Sequence, residues 1–273
     1  TTRASDRESN SVSADVIFNA AGVTKRFGGL LAVDSVDFNV HEREIVGLIG
    51  PNGAGKTTFF NCLTGMEVPT AGSVTYRGRN VTGDPSDITK MGLARTFQNI
   101  RLFPSMTALE NVMVGRHGRT KAGVFSAIGR GPRYRHEERA SVAKAKELLA
   151  YVGLTSVTSE LARNLPYGDQ RRLEIARALA TEPGLLLLDE PTAGMNPQET
   201  QAARDLVLRI RDDFGLAVIV IEHDIRFIFS LCDRVAVLVQ GRKLTEGLPA
   251  AVRDDHRVIE AYLGTDTDEG DEQ

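Results

Sequence analysis

The sequence predicts an α/β fold: a largely parallel sheet covered by helices on both faces, with a helical insertion in its middle. Three observations carry that prediction. Short apolar runs at Ile45–Ile49, Leu185–Asp189 and 216–221 are of the kind a strand shows when both its faces are buried. From Gly168 onward such runs alternate with helical periodicity, the pattern of strands joined by crossover helices. Between residues 99 and 164 strand signals fade and helical ones replace them, so the insertion belongs there.

Taken in order, Val16, Phe18 and Ala20 alternate along a first strand, and Val36, Phe38 and Val40 share one face of a second within 33–40. A polar turn, His41-Glu42-Arg43-Glu44, leads into the buried run Ile45–Ile49. A glycine-rich turn follows, then a helix over Lys56–Leu63, a turn at Pro69-Thr70-Ala71-Gly72 and a strand over 73–76. Within the insertion, helical patterns occupy 108–114 and 138–152, the second stopped by Gly153. The stretch 115–132 is rich in Gly and Arg and reads as a loop with weak helical character. Helix 170–180, strand Leu185–Asp189, helix 198–213, strand 216–221 and helix 225–232 come next. Strands over 235–239 and 242–245 close the fold as a hairpin around Gln240-Gly241. There is no internal repeat.

Composition narrows the function classes. The 273 residues are 41% apolar and 25% charged, ordinary for a globular chain and enough for a large core without disulfide or metal staples. No apolar run approaches the roughly 20 residues of a bilayer-spanning helix. Residues 1–14 are polar, lack the apolar centre of a signal peptide and are expected to be a disordered extension, so export by that route is not expected. A net charge of −3 argues against a general polyanion binder, and no nucleic-acid partner is expected. The segment 265–273 carries Asp266, Asp268, Glu269, Asp271 and Glu272 without a basic residue and is expected to be a disordered acidic tail. Cys62 and Cys232 lie far apart in apolar surroundings, which suits a reducing, cytoplasmic compartment. No Cys/His cluster has metal-ligand spacing.

Gly50-Pro51-Asn52-Gly53-Ala54-Gly55-Lys56-Thr57 fits G-x-x-x-x-G-K-[ST] at every specified position. Its glycines let successive backbone N–H groups turn toward a phosphate, and the helix that follows adds its positive end. Lys56 is expected to reach the β- and γ-phosphates and the Thr57 hydroxyl to ligate Mg²⁺. A buried strand before the loop and a helix after it supply the context such a motif requires. The loop is expected to bind nucleotide. A second element, Leu185-Leu186-Leu187-Leu188-Asp189-Glu190, brings two carboxylates to the end of a buried strand, where open α/β sheets bind ligands. Asp189 is expected to hold Mg²⁺ through water, and Glu190 to orient or deprotonate an attacking water.

With these motifs in place, residues 16–264 resemble the nucleotide-binding subunit of an ABC transporter. Leu165-Pro166-Tyr167-Gly168-Asp169, followed by Gln170-Arg171-Arg172, stands where that family carries its Leu-Ser-Gly-Gly-Gln signature. The resemblance implies a P-loop NTPase core with an antiparallel β subdomain and an inserted α-helical subdomain over about 99–164, within a domain spanning 15–264. It also implies a dimer that sandwiches ATP, with Pro166, Gly168 and Asp169 of one subunit facing nucleotide on the other. Gln98, in Thr96-Phe97-Gln98, matches the glutamine that touches Mg²⁺ and feels the membrane partner. His223 matches the switch histidine near the γ-phosphate, and Phe27 the aromatic that stacks on adenine. Thr58 completes the ATP set.

Departures from the family pattern are equally visible. Pro166 replaces the usual serine, Tyr167 the first signature glycine, and Asp169 the terminal glutamine. Ala193-Gly194-Met195-Asn196 stands where Ser-Ala-Leu-Asp is expected. These bear on dimer closure and hydrolysis rate rather than on nucleotide binding. The altered signature, with Ala94-Arg95-Thr96-Phe97-Gln98-Asn99-Ile100-Arg101-Leu102-Phe103, the long 115–139 segment and the ending Ala261-Tyr262-Leu263-Gly264, is similar to the ATPase subunits of bacterial branched-chain amino acid importers. That implies a membrane permease as partner, a second ATPase subunit, identical or paralogous, and indirectly an extracytoplasmic substrate-binding protein, with the chain at the cytoplasmic face of the inner membrane. Another cargo, such as urea, other amino acids or a lipid, and a non-transport nucleotide switch are the alternatives. Leu102, Phe103, Met106 and Leu109 are spaced to line a groove for a partner helix or to form internal core. The six basic residues Arg116, Arg119, Lys121, Arg130, Arg133 and Arg135 read as a solvated loop, with contact to an anionic leaflet as the other reading.

Overall fold

The computed structural model describes residues 15–117 and 132–263. Its strands are β1 (Val16–Phe27), β2 (Leu30–His41), β3 (Ile45–Ile49), β4 (Ala71–Tyr76), β5 (Arg79–Asn80), β6 (Leu93–Arg95), β7 (Leu185–Asp189), β8 (Ala217–Ile221), β9 (Arg234–Val239) and β10 (Arg242–Gly247). The helices are α1 (Lys56–Leu63), α2 (Pro85–Met91), α3 (Ala108–His117), α4 (Pro132–Tyr151), α5 (Tyr167–Leu179), α6 (Pro197–Phe214), α7 (Ile225–Leu231), α8 (Pro249–Arg253) and α9 (His256–Leu263). Two sheets organise them. A four-stranded antiparallel sheet runs β2-β1-β4-β5, and a six-stranded sheet runs β10-β9-β3-β8-β7-β6. In the second sheet β9, β3, β8, β7 and β6 are parallel, and β10 joins the edge as the antiparallel arm of the β9 hairpin.

The period of two along the central strands divides the apolar residues between two cores. Leu186 and Leu188 of β7, with Val218 and Val220 of β8, face a core built with α3 to α7. Leu185 and Leu187, with Ile219, face the opposite core, which packs α1 and the antiparallel sheet over the central one. Every residue of β3, β7 and β8 is buried, which is why these strands read as continuous apolar runs. Each leucine buried this way contributes roughly 1.5–3 kcal/mol.

The strands β3, β7 and β8, the helix α1 and the closing hairpin lie where the sequence predicts them. Five elements were not foreseen: β5, α2, β6, α8 and α9. β6 has only three residues, too few to show a period, and is defined by its register on β7, Leu93 opposite Leu185 and Arg95 opposite Leu187. α4 starts at Pro132, six residues before the expected start, because proline is favoured in the first helical turn rather than breaking it there. Residues 1–14 and the acidic tail 265–273 lie outside the described residues. So do Arg119, Lys121 and Arg130, and the side chains of Arg133 and Arg135. Arg116, the remaining member of that basic group, is paired with Glu182 at 3.0 Å. The four residues expected to share a groove divide: Leu102 and Leu109 pack on the core, while Phe103 and Met106 are exposed.

No helix among the described residues is long and apolar enough to cross a membrane. Cys62 and Cys232 are both free and buried; burial pushes the Cys62 thiol up to about 11 and the Cys232 thiol higher still. A thiol reagent such as dithionitrobenzoate at pH 8 is therefore expected to titrate no fast-reacting thiol in the native chain and two in denaturant.

Candidate functional site

β3 delivers the chain, fully buried, to Gly50, and α1 leads it away from Gly55. The turn between them works only with close backbone approach. A Cβ at Gly50 would come within 2.1 Å of the Leu238 carbonyl oxygen, and one at Gly55, whose φ is 89°, within 2.4 Å of the Ala32 carbonyl oxygen. The first N–H groups of α1 have no partner inside the helix. No side chain caps that end, and its first turn holds no acid. An uncapped helix start with a positive end is an anion site. Lys56, the first residue of the helix, is buried, and its Nζ donates to the carbonyls of Gly50 at 2.5 Å and Pro51 at 2.8 Å. Burial pulls its pKa down while the charge of Glu190 opposes the shift. The site therefore holds a desolvated ammonium whose partners are neutral main-chain oxygens, a donor set that fits a phosphate group.

A cleft of about 700 Å³ opens over this helix start, lined by Asn52 to Thr58, Gln98, Glu190 and His223, with Leu30 to Ala32 on its near wall. Phe27, at the end of β1, does not line it; its ring is 46% exposed and lies under the Lys25 ammonium. Asp189 does not line it either. Pro166, Gly168 and Asp169 stand at the start of α5 and do not line the cleft.

The two carboxylates ending β7 meet different fates. Asp189 is buried and takes a hydrogen bond of 2.7 Å from Arg95 Nη2. The same guanidinium donates to Asn61 Oδ1 at 2.8 Å and Thr64 Oγ1 at 2.9 Å, so it ties β7 to α1 beneath the phosphate loop. It lies over the rings of Phe60 and Phe97, and its Nε finds no partner among the described residues. Burial lowers the pKa of Arg95 from its usual value, with Asp189 opposing the shift. Glu190, at φ 48°, turns the chain out of the strand toward the cleft while its N–H donates to the Ile221 carbonyl at 2.9 Å. One carboxylate oxygen accepts from Gln98 Nε2 at 3.0 Å, and the other lies within hydrogen-bond contact of His223 Nε2. Glu222, buried and not singled out in the sequence, accepts from the N–H groups of Thr192 at 2.7 Å and His223 at 3.0 Å. It thereby locks the turn after β7 to the residue carrying the imidazole. Asp224 caps α7 immediately beyond, accepting from Arg226 and Phe227.

The departures from the family pattern acquire structural roles. Asn196 is the N-cap of α6 in a full capping box, accepting from Gln198 and Glu199 while Glu199 accepts from the Asn196 N–H. Asn and Asp serve equally there, which accounts for the exchange. Asp169 pairs with Arg172 one turn on. Arg171, buried to 3%, reaches from α5 to the main chain of Phe97 and Gln98. Tyr262 of α9 pairs through its hydroxyl with the backbone of Gly50, and burial pushes that hydroxyl up to about 12. Arg95 and Arg171 stand within the motif stretches quoted above, but the sequence assigns no role to them or to Glu222, because a buried charge and a solvated one are written with the same letter.

Residues 33–193 match the ABC transporter family, and residues 242–268 match the branched-chain amino acid ATP-binding cassette transporter family. The chain is 47% identical over 244 residues to the high-affinity branched-chain amino acid transport ATP-binding protein LivG of Salmonella typhimurium, covering 89% of this chain and 96% of that one. Its fold is similar to the ADP conformation of an ATP-binding cassette of an ABC transporter, with a TM-score of 0.79, 28% identity and coverage of 92% and 99%. It is also similar to a dimeric post-hydrolysis cassette bound to ADP and Pi, with a TM-score of 0.72, 26% identity and coverage of 85% and 98%.

Removing the Arg95 guanidinium leaves Asp189 as an unpaired buried charge. Arg95→Ala is expected to lower the unfolding free energy by about 3–5 kcal/mol, while Arg95→Ala/Asp189→Ala costs less than the sum of the two single changes. Chemical denaturation of the four proteins measures that coupling.

Proposed function

The chain belongs to the ABC transporter family, and from that premise we propose that it is the ATP-hydrolysing subunit of an importer for branched-chain amino acids. The observation that carries this reading is the convergence of Lys56, Gln98, Glu190 and His223 on one cleft, in a chain 47% identical to LivG over nearly its whole length. On this reading the cleft holds ATP with Mg²⁺. The backbone of Gly50, Pro51, Asn52, Gly53, Ala54 and Gly55, with Lys56, Thr57 and Thr58, binds the phosphates. Phe27 offers its exposed ring to adenine. Thr57 and Gln98, with Asp189 acting through water from outside the cleft lining, would hold Mg²⁺; the ion would supply charge neutralisation at the phosphates when bound.

The chain's own groups then divide the work. Lys56 exchanges its main-chain carbonyl partners for phosphate oxygens, a stronger charge-assisted contact in a desolvated site. Glu190 orients an attacking water or takes its proton, which requires one of its contacts with Gln98 and His223 to open. His223, half exposed at the rim, is placed to sense the γ-phosphate. Pro166, Gly168 and Asp169 of a second subunit, identical or paralogous, cover that phosphate. A second cleft, of about 650 Å³, lies between α2, α3 and α5 and includes the exposed Phe103. We place the permease there, beside the loop that carries Gln98. Docking at this cleft would hold the chain at the cytoplasmic face of the membrane, and the cargo would reach the permease from an extracytoplasmic binding protein.

Glu190→Gln keeps the shape of the site and removes the base. It is expected to retain ATP, to cut phosphate release at least a hundredfold, and to elute as a dimer in size-exclusion chromatography with ATP–Mg²⁺. Undiminished phosphate release by that variant would contradict the assignment.

A further inference from the structure

The Tyr167 hydroxyl bonds Arg171 within α5, and its ring faces the turn that carries Gly194. We propose that Tyr167 is a positioning residue that sets Gln98 against Glu190, acting through Arg171. The proposal rests on the reading of the Glu190 cleft as a site of ATP hydrolysis.

The chain of contacts is short and continuous. The Tyr167 hydroxyl accepts from Arg171 Nη2 at 2.8 Å and from Nε at 3.1 Å, one helical turn along α5. The remaining donors of that guanidinium point at the loop before the insertion: Nη1 to the Phe97 carbonyl at 2.5 Å, and Nη2 to the Gln98 carbonyl. Glu174, 1% exposed, balances the charge through a 3.2 Å contact with Arg171 and accepts the Arg101 N–H at 2.9 Å. The main chain of 97–101 is thus held from α5 at four points, the fourth being the Arg177 guanidinium on the Arg101 carbonyl. The Gln98 side chain, carried by that main chain, reaches Glu190 at 3.0 Å.

On its other side the Tyr167 ring faces the turn that follows Glu190: a Cβ built on Gly194 would stand 3.5 Å from its Cε1, so the space between them is about that of one methyl group. Tyr167 and Gly194, two positions where the chain departs from the family pattern, therefore face one another. A glycine at 167 would leave Arg171 Nε and Nη2 without their hydroxyl acceptor and remove the ring that spans α5 and the turn. The tyrosine makes the position of α5 relative to the β7 turn a determinant of where Gln98 sits. Hydrogen bonds from a buried guanidinium are strong and directional, so a shift of α5 is passed to Gln98 rather than absorbed.

Tyr167→Phe removes the acceptor and keeps the ring. Turnover and ATP affinity are measured for wild type, Tyr167→Phe, Gln98→Ala and the double variant, in the chain under conditions where wild type hydrolyses ATP. The expected result is a roughly tenfold fall in kcat for Tyr167→Phe, the size of one hydrogen bond to a charged group, with ATP affinity within about twofold of wild type. In the Gln98→Ala background the same change is expected to cost nothing further. Unchanged kcat in Tyr167→Phe, or an equal loss in both backgrounds, would overturn the proposal. If Tyr167→Phe fails to fold, Arg171→Lys, which keeps the charge and loses the fork, runs the same cycle with the same criteria. Absence of turnover in wild type contradicts the hydrolase reading instead, so the two failures are distinguishable.

Discussion

Two adjacent carboxylates end a strand that has no exposed residue, and each must be satisfied before the sheet can close. Asp189 is met from inside the fold by Arg95, and Glu190 from the cleft by Gln98 and His223. That division depends on a change of backbone conformation between the two residues, from strand to the left-handed region at Glu190. With both acids on one regular strand, the pair would point to opposite faces; the turn instead brings Glu190 to the cleft floor while Asp189 stays anchored. These contacts join the segments carrying Arg95, Gln98 and His223, and α1 through Asn61, to the end of β7.

Desolvation sets the energetics of the same region. Lys56, Arg95, Arg171, Glu174, Asp189, Glu190 and Glu222 are all largely removed from water, and a buried charge is tolerable only when paired. Six of these find ionic or strongly polar partners within the protein. Lys56 is the exception, held by two carbonyls and by the more distant charge of Glu190. Among these groups Lys56 is the one whose charge has no adjacent counter-ion, and it stands at the start of a helix that no side chain caps. An anionic ligand relieves both at once, which makes phosphate binding the natural completion of the fold.

Much of this was legible in the sequence, and the limits are physical. β3, β7 and β8 were readable because strands buried on both faces must be apolar throughout, and α1 because a glycine-rich turn preceded it. The turn between β3 and α1 and the Asp189-Glu190 pair at the end of β7 were legible as motifs because such chemistry restricts residue type at fixed spacing. β6 was not, since three residues cannot display a period, and its identity comes from pairing with β7. The roles of Arg95, Arg171 and Glu222 were hidden for a different reason: they lie in burial and in partners 30 to 94 positions away. Tyr167 and Asn196 looked like losses against the family pattern. The fold shows Asn196 as a helix cap and Tyr167 as the acceptor that steadies Arg171.

If Lys56 and the first turn of α1 form an anion site that Glu190 faces, a crystal structure of the Glu190→Gln chain with ATP–Mg²⁺ will show it. Lys56 Nζ is expected to leave the Gly50 and Pro51 carbonyls for phosphate oxygens, with the γ-phosphate lying between it and the side chain at position 190. Nucleotide bound elsewhere, or bound in the cleft with Lys56 still held by its own main chain, would contradict it.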